Sequence, residues 1–261
     1  VSHGTWSSFA THVDLVGVDG VISDLRRSKD DAEVELIAQA ADIASRALAD
    51  VAPMIAIGVT EREVRDELEY QMRKFGADGP SYETIVASGP TNAALPHARP
   101  TTRQFVEGDT VVIDVGALVS GYHSDMTRTF VVGEPNVEQR GWYELVLESQ
   151  MAGLEAVAAG VRVSDVDRAC RSVFESAGLS DLCVHGTGHG VGLDIHEEPF
   201  LGASGQTELV VGDVVTVEPG LYRVGTGGVR IEDLVVVTSE GHRNLTTHPK
   251  DSPCLPSRRT T

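Results

Sequence analysis

Residues 185–197 read His-Gly-Thr-Gly-His-Gly-Val-Gly-Leu-Asp-Ile-His-Glu. Glycines on both sides of His189 allow the close backbone approach that a ligand-bearing loop needs. His196 follows seven residues later and can face the same cavity; with His185 it makes three histidines in twelve residues. A lone histidine is usually a satisfied core or surface residue, whereas this density points to a site.

Acids placed in apolar strands surround that stretch in sequence. Val111-Val112-Ile113-Asp114-Val115-Gly116 carries a carboxylate inside a β-type run, which is costly unless the charge is paired or coordinates a cation. Asp125 follows on the next predicted strand, in Tyr122-His123-Ser124-Asp125-Met126-Thr127-Arg128. A hairpin through residues 116–121 would set the two carboxylates side by side, where repulsion raises one pKa unless a cation neutralises them. Glu218 closes Val214-Val215-Thr216-Val217, and Glu232 interrupts the run from Val229 to Val237. Any one of these acids alone reads as a core acid paired to an arginine or a backbone amide. Together with the histidines they favour a hard-cation site, and oxygen with imidazole ligands suit Mn²⁺, Co²⁺, Fe²⁺ or Zn²⁺ in a paired arrangement. Two such ions can hold a hydroxide between them and polarise a carbonyl, so the chemistry expected is hydrolysis. His97, in Leu95-Pro96-His97-Ala98-Arg99-Pro100, is a weaker candidate taken alone.

The organisation around these residues reads as helices then strands, twice over. Ser28, with Asp31 in the capping-box position, opens a helix striped by Val34, Ile37, Ala41, Ile43 and Leu48. Thr60 with Glu63 opens a second, ending at Gly76. Strand-like runs follow at 84–87, 110–115 and 122–132. A helical stretch over about 138–158 and a helix capped by Ser164, with Asp167 in the box position, begin the second round. Strand-like runs at 182–185, 213–218 and 228–238 complete it. The expectation is an α+β fold of two related halves sharing one sheet. Residues 1–26 carry no clear helix and read as a linker-like remnant, 27–250 as the catalytic domain, and 251–261 as a tail frayed from Pro253. Cys170 and Cys183 read as buried small apolar residues.

Composition sets the outer bounds. The chain has 261 residues, 41% hydrophobic and 23% charged, ordinary for a globular protein. A formal charge of −18 argues against nucleic acid or an anionic membrane as partner. Three cysteines at unrelated spacings, no visible signal peptide and no apolar segment of membrane-spanning length lead us to expect a cytoplasmic protein.

From about Leu25 to about Thr247 the chain resembles the pita-bread metallopeptidases, and within them the proline-specific branch of Xaa-Pro dipeptidases (prolidases) and Xaa-Pro aminopeptidases. Residues 185–197 fit that branch's signature at every defining position. Asp114 in Asp-Val-Gly, Asp125 in Ser-Asp-Met-Thr-Arg, Glu218 in Glu-Pro-Gly and Glu232 in Arg-Ile-Glu-Asp match its ligand set in order. The resemblance implies two pseudo-symmetric halves of paired helices covering a curved, mostly antiparallel sheet. It implies two divalent ions, manganese first among Mn, Co, Zn and Fe. Asp114 would chelate one ion, His189 and Glu218 the other, and Asp125 and Glu232 would bridge them. Glu218 would also orient the bridging hydroxide and shuttle its proton. His97 and His196 would line the pocket and stabilise the tetrahedral intermediate, and His185 and Arg230 would recognise the substrate around its proline. Short proline-containing peptides are the implied partners, and a homodimer is compatible with the family. Its proline-specific members usually carry a separate amino-terminal domain. Only residues 1–26 precede the first helix here, so that domain is expected to be absent or truncated.

Three other readings compete. Methionine aminopeptidases share the five ligands, but His185, Arg230 and the continuation Glu197-Glu198-Pro199-Phe200-Leu201 look proline-specific. A repurposed, non-catalytic binding module would typically lack ligands, and a creatine-cleaving relative works without them. For Arg230 the alternative role is a partner balancing Glu232, two residues away on the same strand face.

Overall fold

The structure, a computed structural model, describes residues 1–255. Its first half is led by α3 (Asp31–Val51) and α4 (Glu61–Lys74), after two short helices, α1 (His3–Ala10) and α2 (Val21–Arg27). Neither α1 nor α2 buries a residue, so residues 1–26 hold helix without the apolar stripe that would have betrayed it. The cap of α3 is Asp30, not Ser28: Asp30 accepts from the Glu33 amide and Glu33 from the Asp30 amide, both at 2.9 Å. Ser28 is drawn away, its hydroxyl donating to the Val211 carbonyl. The α4 box of Thr60 and Glu63 stands as expected, and Gly76 follows with φ 102°, the left-handed backbone that suits glycine.

Strand β1 (Gly79–Pro80) pairs with β4 (Ala117–Val119), and β4 with β5 (Tyr122–His123). Beside them β2 (Ile85–Ser88), β3 (Thr110–Asp114) and β6 (Thr127–Val131) form a sheet with β3 central; a turn of helix, α5 (Gly89–Asn92), follows β2. The expected loop over 116–121 is thus itself partly strand, folding back at Ser120 and Gly121, both with positive φ.

The second half begins with α6 (Val137–Ala156), capped by Asn136 and Gln139, and α7 (Val163–Ser176). Arg162, not Ser164, stands at the cap position of α7, without a side-chain bond. Asp167 is instead buried, accepting from Thr187 and Arg171 at 2.8 Å each. Strands β7 (Gly188–Gly190), β8 (Glu197–Leu201), β9 (Val214–Val217), β12 (Asp233–Thr238) and β13 (Gly241–Asn244) order as β13-β12-β9-β7-β8. The hairpin β10 (Gly220–Arg223) with β11 (Gly227–Arg230) stands apart. Residues 182–185 form no strand, because a short 3-10 turn ends at Leu182 and the His185 carbonyl accepts from Arg171. The run 228–238 divides at Ile231-Glu232 between two sheets.

The named strands pair antiparallel throughout, in four hydrogen-bonded pieces rather than one. Leu48, Leu68, Met72, Val111, Ile113 and Phe130 lie in the first core, while Leu154, Val166, Cys170, Val215 and Val235 lie in the second. Side chains stitch the halves. Thr129 Oγ1 donates to the Arg230 carbonyl at 2.8 Å, the Glu232 amide donates to the Thr127 carbonyl, and Arg128 pairs with Asp233 at 2.8 Å. Among the described residues no helix is long and apolar enough to cross a membrane. The start of the tail is docked, the Pro253 carbonyl accepting from Val131, and residues 256–261 lie outside the described residues.

Candidate active site

The seam between the halves gathers the acids that the sequence singles out. Asp114 ends β3, opposite Thr127 of β6 in the ladder. Asp125 lies in the bend between β5 and β6, where the Val115 amide bonding to the Met126 carbonyl holds that bend against the end of β3. Glu218 follows β9 and Glu232 follows β11, each leaving its strand at the seam. His189 sits at the centre of β7, close against β9: a Cβ on Gly188 would come within 2.1 Å of the Thr216 carbonyl, so only glycine fits there.

His189 has its Nδ1 against the Gly190 carbonyl at 3.1 Å, which leaves Nε2 for the seam. Nε2 stands 3.5 Å from Asp125 Oδ2 and 3.4 Å from Glu218 Oε1. Asp125, His189 and Glu232 are all buried, with one candidate ligand atom from each lying within 4.8 Å of the others. Burial first, then the neighbouring carboxylates, pushes the Asp125 and Glu232 acids well above their usual range. Glu232 Oε2 accepts from Thr127 at 2.7 Å, while Glu232 Oε1 is buried without a hydrogen-bond partner among the described residues. An orphaned carboxylate oxygen in a nest of like charges fits a divalent cation, and the donors there are all oxygen or imidazole nitrogen.

Two tyrosines belong to the site although sequence reasoning missed them. The Tyr82 hydroxyl donates to both Asp114 and Asp125, the latter at 2.5 Å. Burial and these two acids raise its pKa well above the ordinary phenol value, so it stays a donor. Nothing local in the sequence marks it. Tyr222 is four residues past Glu218, and its hydroxyl accepts from Arg230 Nη1 and lies 2.9 Å from His185 Nε2. His185 Nδ1 lies on the Gly186 carbonyl, so Tyr222 donates to Nε2. Arg230 is buried and reaches Asp114 at 2.5 Å, with its Nε 4.0 Å from Glu218. Its carboxylate partner is therefore Asp114, not Glu232, because Arg230 ends β11 while the chain turns between sheets at Glu232.

A cavity of about 750 Å³ opens over this cluster. His185, His189, His196, His97, Arg230 and the acids all line it. The His196 ring meets His189 edge-on at 4.3 Å, and His97 is exposed on the rim. Burial lowers the pKa of His185, His189 and His196, keeping the imidazoles neutral near pH 7. His123 faces away, bonded to Ser81 at 2.8 Å.

Residues 35–239 match the model of metallopeptidase family M24. The chain belongs to that family. An Xaa-Pro dipeptidase of Pyrococcus furiosus is 44% identical to this M24 chain over 229 residues, covering 88% of the chain and 66% of that relative. One from Pyrococcus horikoshii is 42% identical, with 88% and 65% covered, so the chain spans a little under two thirds of these relatives' length. The solved Xaa-Pro dipeptidase of Bacillus anthracis superposes with a TM-score of 0.94 at 40% identity, over 98% of this chain and 72% of that one. The X-Pro aminopeptidase of Thermotoga maritima does so at 0.92 and 37%, over 96% and 72%. The M24 chain has the pita-bread fold.

Proposed function

We propose that this chain hydrolyses the peptide bond between an N-terminal residue and proline, in dipeptides or short peptides, using two divalent ions. The carrying observation is the buried cluster of Asp125, His189 and Glu232, with Asp114 and Glu218 at its edge, beneath a cavity lined by histidines. The likeness to Xaa-Pro dipeptidases at 44% and 42% identity supports proline as the residue after the cleaved bond. Asp114 would hold one ion, His189 and Glu218 the other, with Asp125 and Glu232 shared. Bound ions supply Lewis acidity to the scissile carbonyl and make a shared water acidic near neutral pH.

The chain's own groups do the rest. Glu218 Oε1, held by Thr216 at 3.3 Å, takes the proton from the attacking water and returns it to the leaving proline nitrogen. His196 and His97 donate hydrogen bonds to the oxygen that gains charge at the carbonyl. Arg230 fixes Asp114 and the Tyr222 hydroxyl, and Tyr222 sets the tautomer of His185 on the cavity wall. The test is incubation of Mn²⁺-loaded protein with Gly-Pro, Gly-Pro-Gly and Met-Ala-Ser. Metal-dependent release of glycine is expected. Release of methionine alone would move the reading to a methionine aminopeptidase, and no release from any of the three would end the peptidase reading.

A further inference from the structure

Four consecutive residues ahead of α3 are all tied to the second half. Arg26 Nη2 donates to Asp194 Oδ2 at 2.6 Å and to Glu197 Oε2 at 2.7 Å. Arg27 grips both oxygens of Asp213, at 2.8 and 2.6 Å. Ser28 donates to the Val211 carbonyl, and the Lys29 amide to that of Gly212. Lys29 Nζ then reaches back to Glu197 Oε1 at 2.6 Å, with its side chain only 1% exposed.

Glu197 is thus held through both carboxylate oxygens by two cations from a segment 168 or more residues away. It lies between two cavity-lining residues, His196 and Glu198. His196 immediately precedes Glu197, the first residue of β8, so a grip on Glu197 anchors the backbone from which His196 enters the cavity. The packing there admits no slack: a Cβ on Gly192 would come within 2.5 Å of Glu197 Oε1 and 2.9 Å of Lys29 Cε. The Gly192 carbonyl accepts from the His123 amide, and the Gly192 amide bonds to the Asp194 carbonyl, so the loop between the two histidines is pinned at the same place.

We infer that Lys29 and Arg26 are positioning residues for peptide cleavage, acting through Glu197 to set the His196 imidazole over the cluster. This rests on the peptidase reading, since it is His196's contact with the developing oxyanion that the clamp would serve. Arg27 supplies an internal control, because it ties the same segment to Asp213 without touching Glu197.

The experiment compares Lys29→Met, Lys29→Arg, Arg26→Gln and Arg27→Gln in the whole chain with Mn²⁺. Each is read by kcat, KM, Tm and bound manganese, and by the His196 ring resonances of the diamagnetic Zn²⁺-loaded protein, assigned with His196→Gln. Lys29→Met is expected to lower kcat by about tenfold to a hundredfold, as a misplacement of up to about an ångström would. KM should move by less than about threefold, bound manganese should be unchanged, and the His196 resonances should shift. Lys29→Arg should recover most of the kcat, and Arg27→Gln should lower Tm without moving His196. If Lys29→Met does not fold, Arg26→Gln carries the same expectation in weaker form. Unshifted His196 resonances with kcat within about twofold of wild type would overturn the inference, as would an equal kcat loss in Arg27→Gln. Should the wild-type protein cleave no peptide, the peptidase reading falls by itself. The His196 resonances of Lys29→Met and Arg26→Gln then decide whether the clamp exists, and unshifted resonances reject it.

Discussion

Glu232 is the residue at which folding and chemistry pull hardest against each other. It is 1% exposed, one of its oxygens has a donor in Thr127, and the other faces Asp125, Glu218 and Asp114 with none among the described residues. Without a cation the protein must either bury that charge among like charges or hold the acid protonated above its ordinary pKa, and both cost free energy. Glu232→Gln keeps the shape and removes the charge. Metal-free Glu232→Gln is therefore expected to be more stable than metal-free wild type, by roughly 1–2 kcal/mol, as relief of strain at a functional site commonly is. Its Mn²⁺ affinity should fall at the same time. Thermal denaturation in chelator, paired with calorimetric Mn²⁺ titration, checks both. A metal-free variant that melts below wild type would show that Glu232 is satisfied without an ion.

Elements here are fixed partly by local chemistry and partly by distant contacts. The start of α3 is local: Asp30 and Glu33 satisfy each other's amides at 2.9 Å. Asp30→Ala should cost about 1 kcal/mol in urea unfolding with little change in activity; a loss below about 0.3 kcal/mol would mean water replaces the cap at no cost. The apolar stripe from Val34 to Leu48 and the strand cores at 110–114 and 214–217 were legible for the same reason, since burial on one face or on both imposes a period on the residues themselves. So were the four acids, because a carboxylate among valines is conspicuous wherever the chain later goes. Strand β7 was not legible. Gly-His-Gly has no β-propensity, and it is a strand only because β9 approaches its backbone too closely for a side chain. Tyr82 and the Lys29–Glu197 pair escaped for a related reason: their partners are 32 to 168 residues distant, and nothing near them in sequence is out of place. Ser28 misled because a serine before an apolar stripe looks like a cap even when its hydroxyl is committed across the molecule to Val211.

Across the whole molecule the proposed ligands divide between the halves, Asp114 and Asp125 from the first and His189, Glu218 and Glu232 from the second. A divalent ion at the seam would therefore add to a contact the halves already make through the apolar cluster of Val34, Ile37, Val191, Val214 and Leu234, the ties of residues 26–29, and the pairs Thr129 with Arg230 and Arg128 with Asp233. Because the unfolded chain offers no such cluster, an ion that binds the folded state stabilises it by mass action. At a hundred times its Kd the gain is about 2.7 kcal/mol, which for a chain of this size raises Tm by roughly 5–10 °C. The formal charge of −18 adds a general attraction for cations, so Mg²⁺ at equal ionic strength is the control that separates a specific site from screening. Calorimetry should give a single transition that Mn²⁺ moves upward and chelator returns, with Mg²⁺ producing much less. The same titration on Glu232→Gln should give under half of the wild-type shift, since one shared ligand is gone. A wild-type Tm indifferent to Mn²⁺ at concentrations that saturate cleavage would mean that the unfolded chain binds the ion as well as the folded one, and that the site is not a feature of the fold.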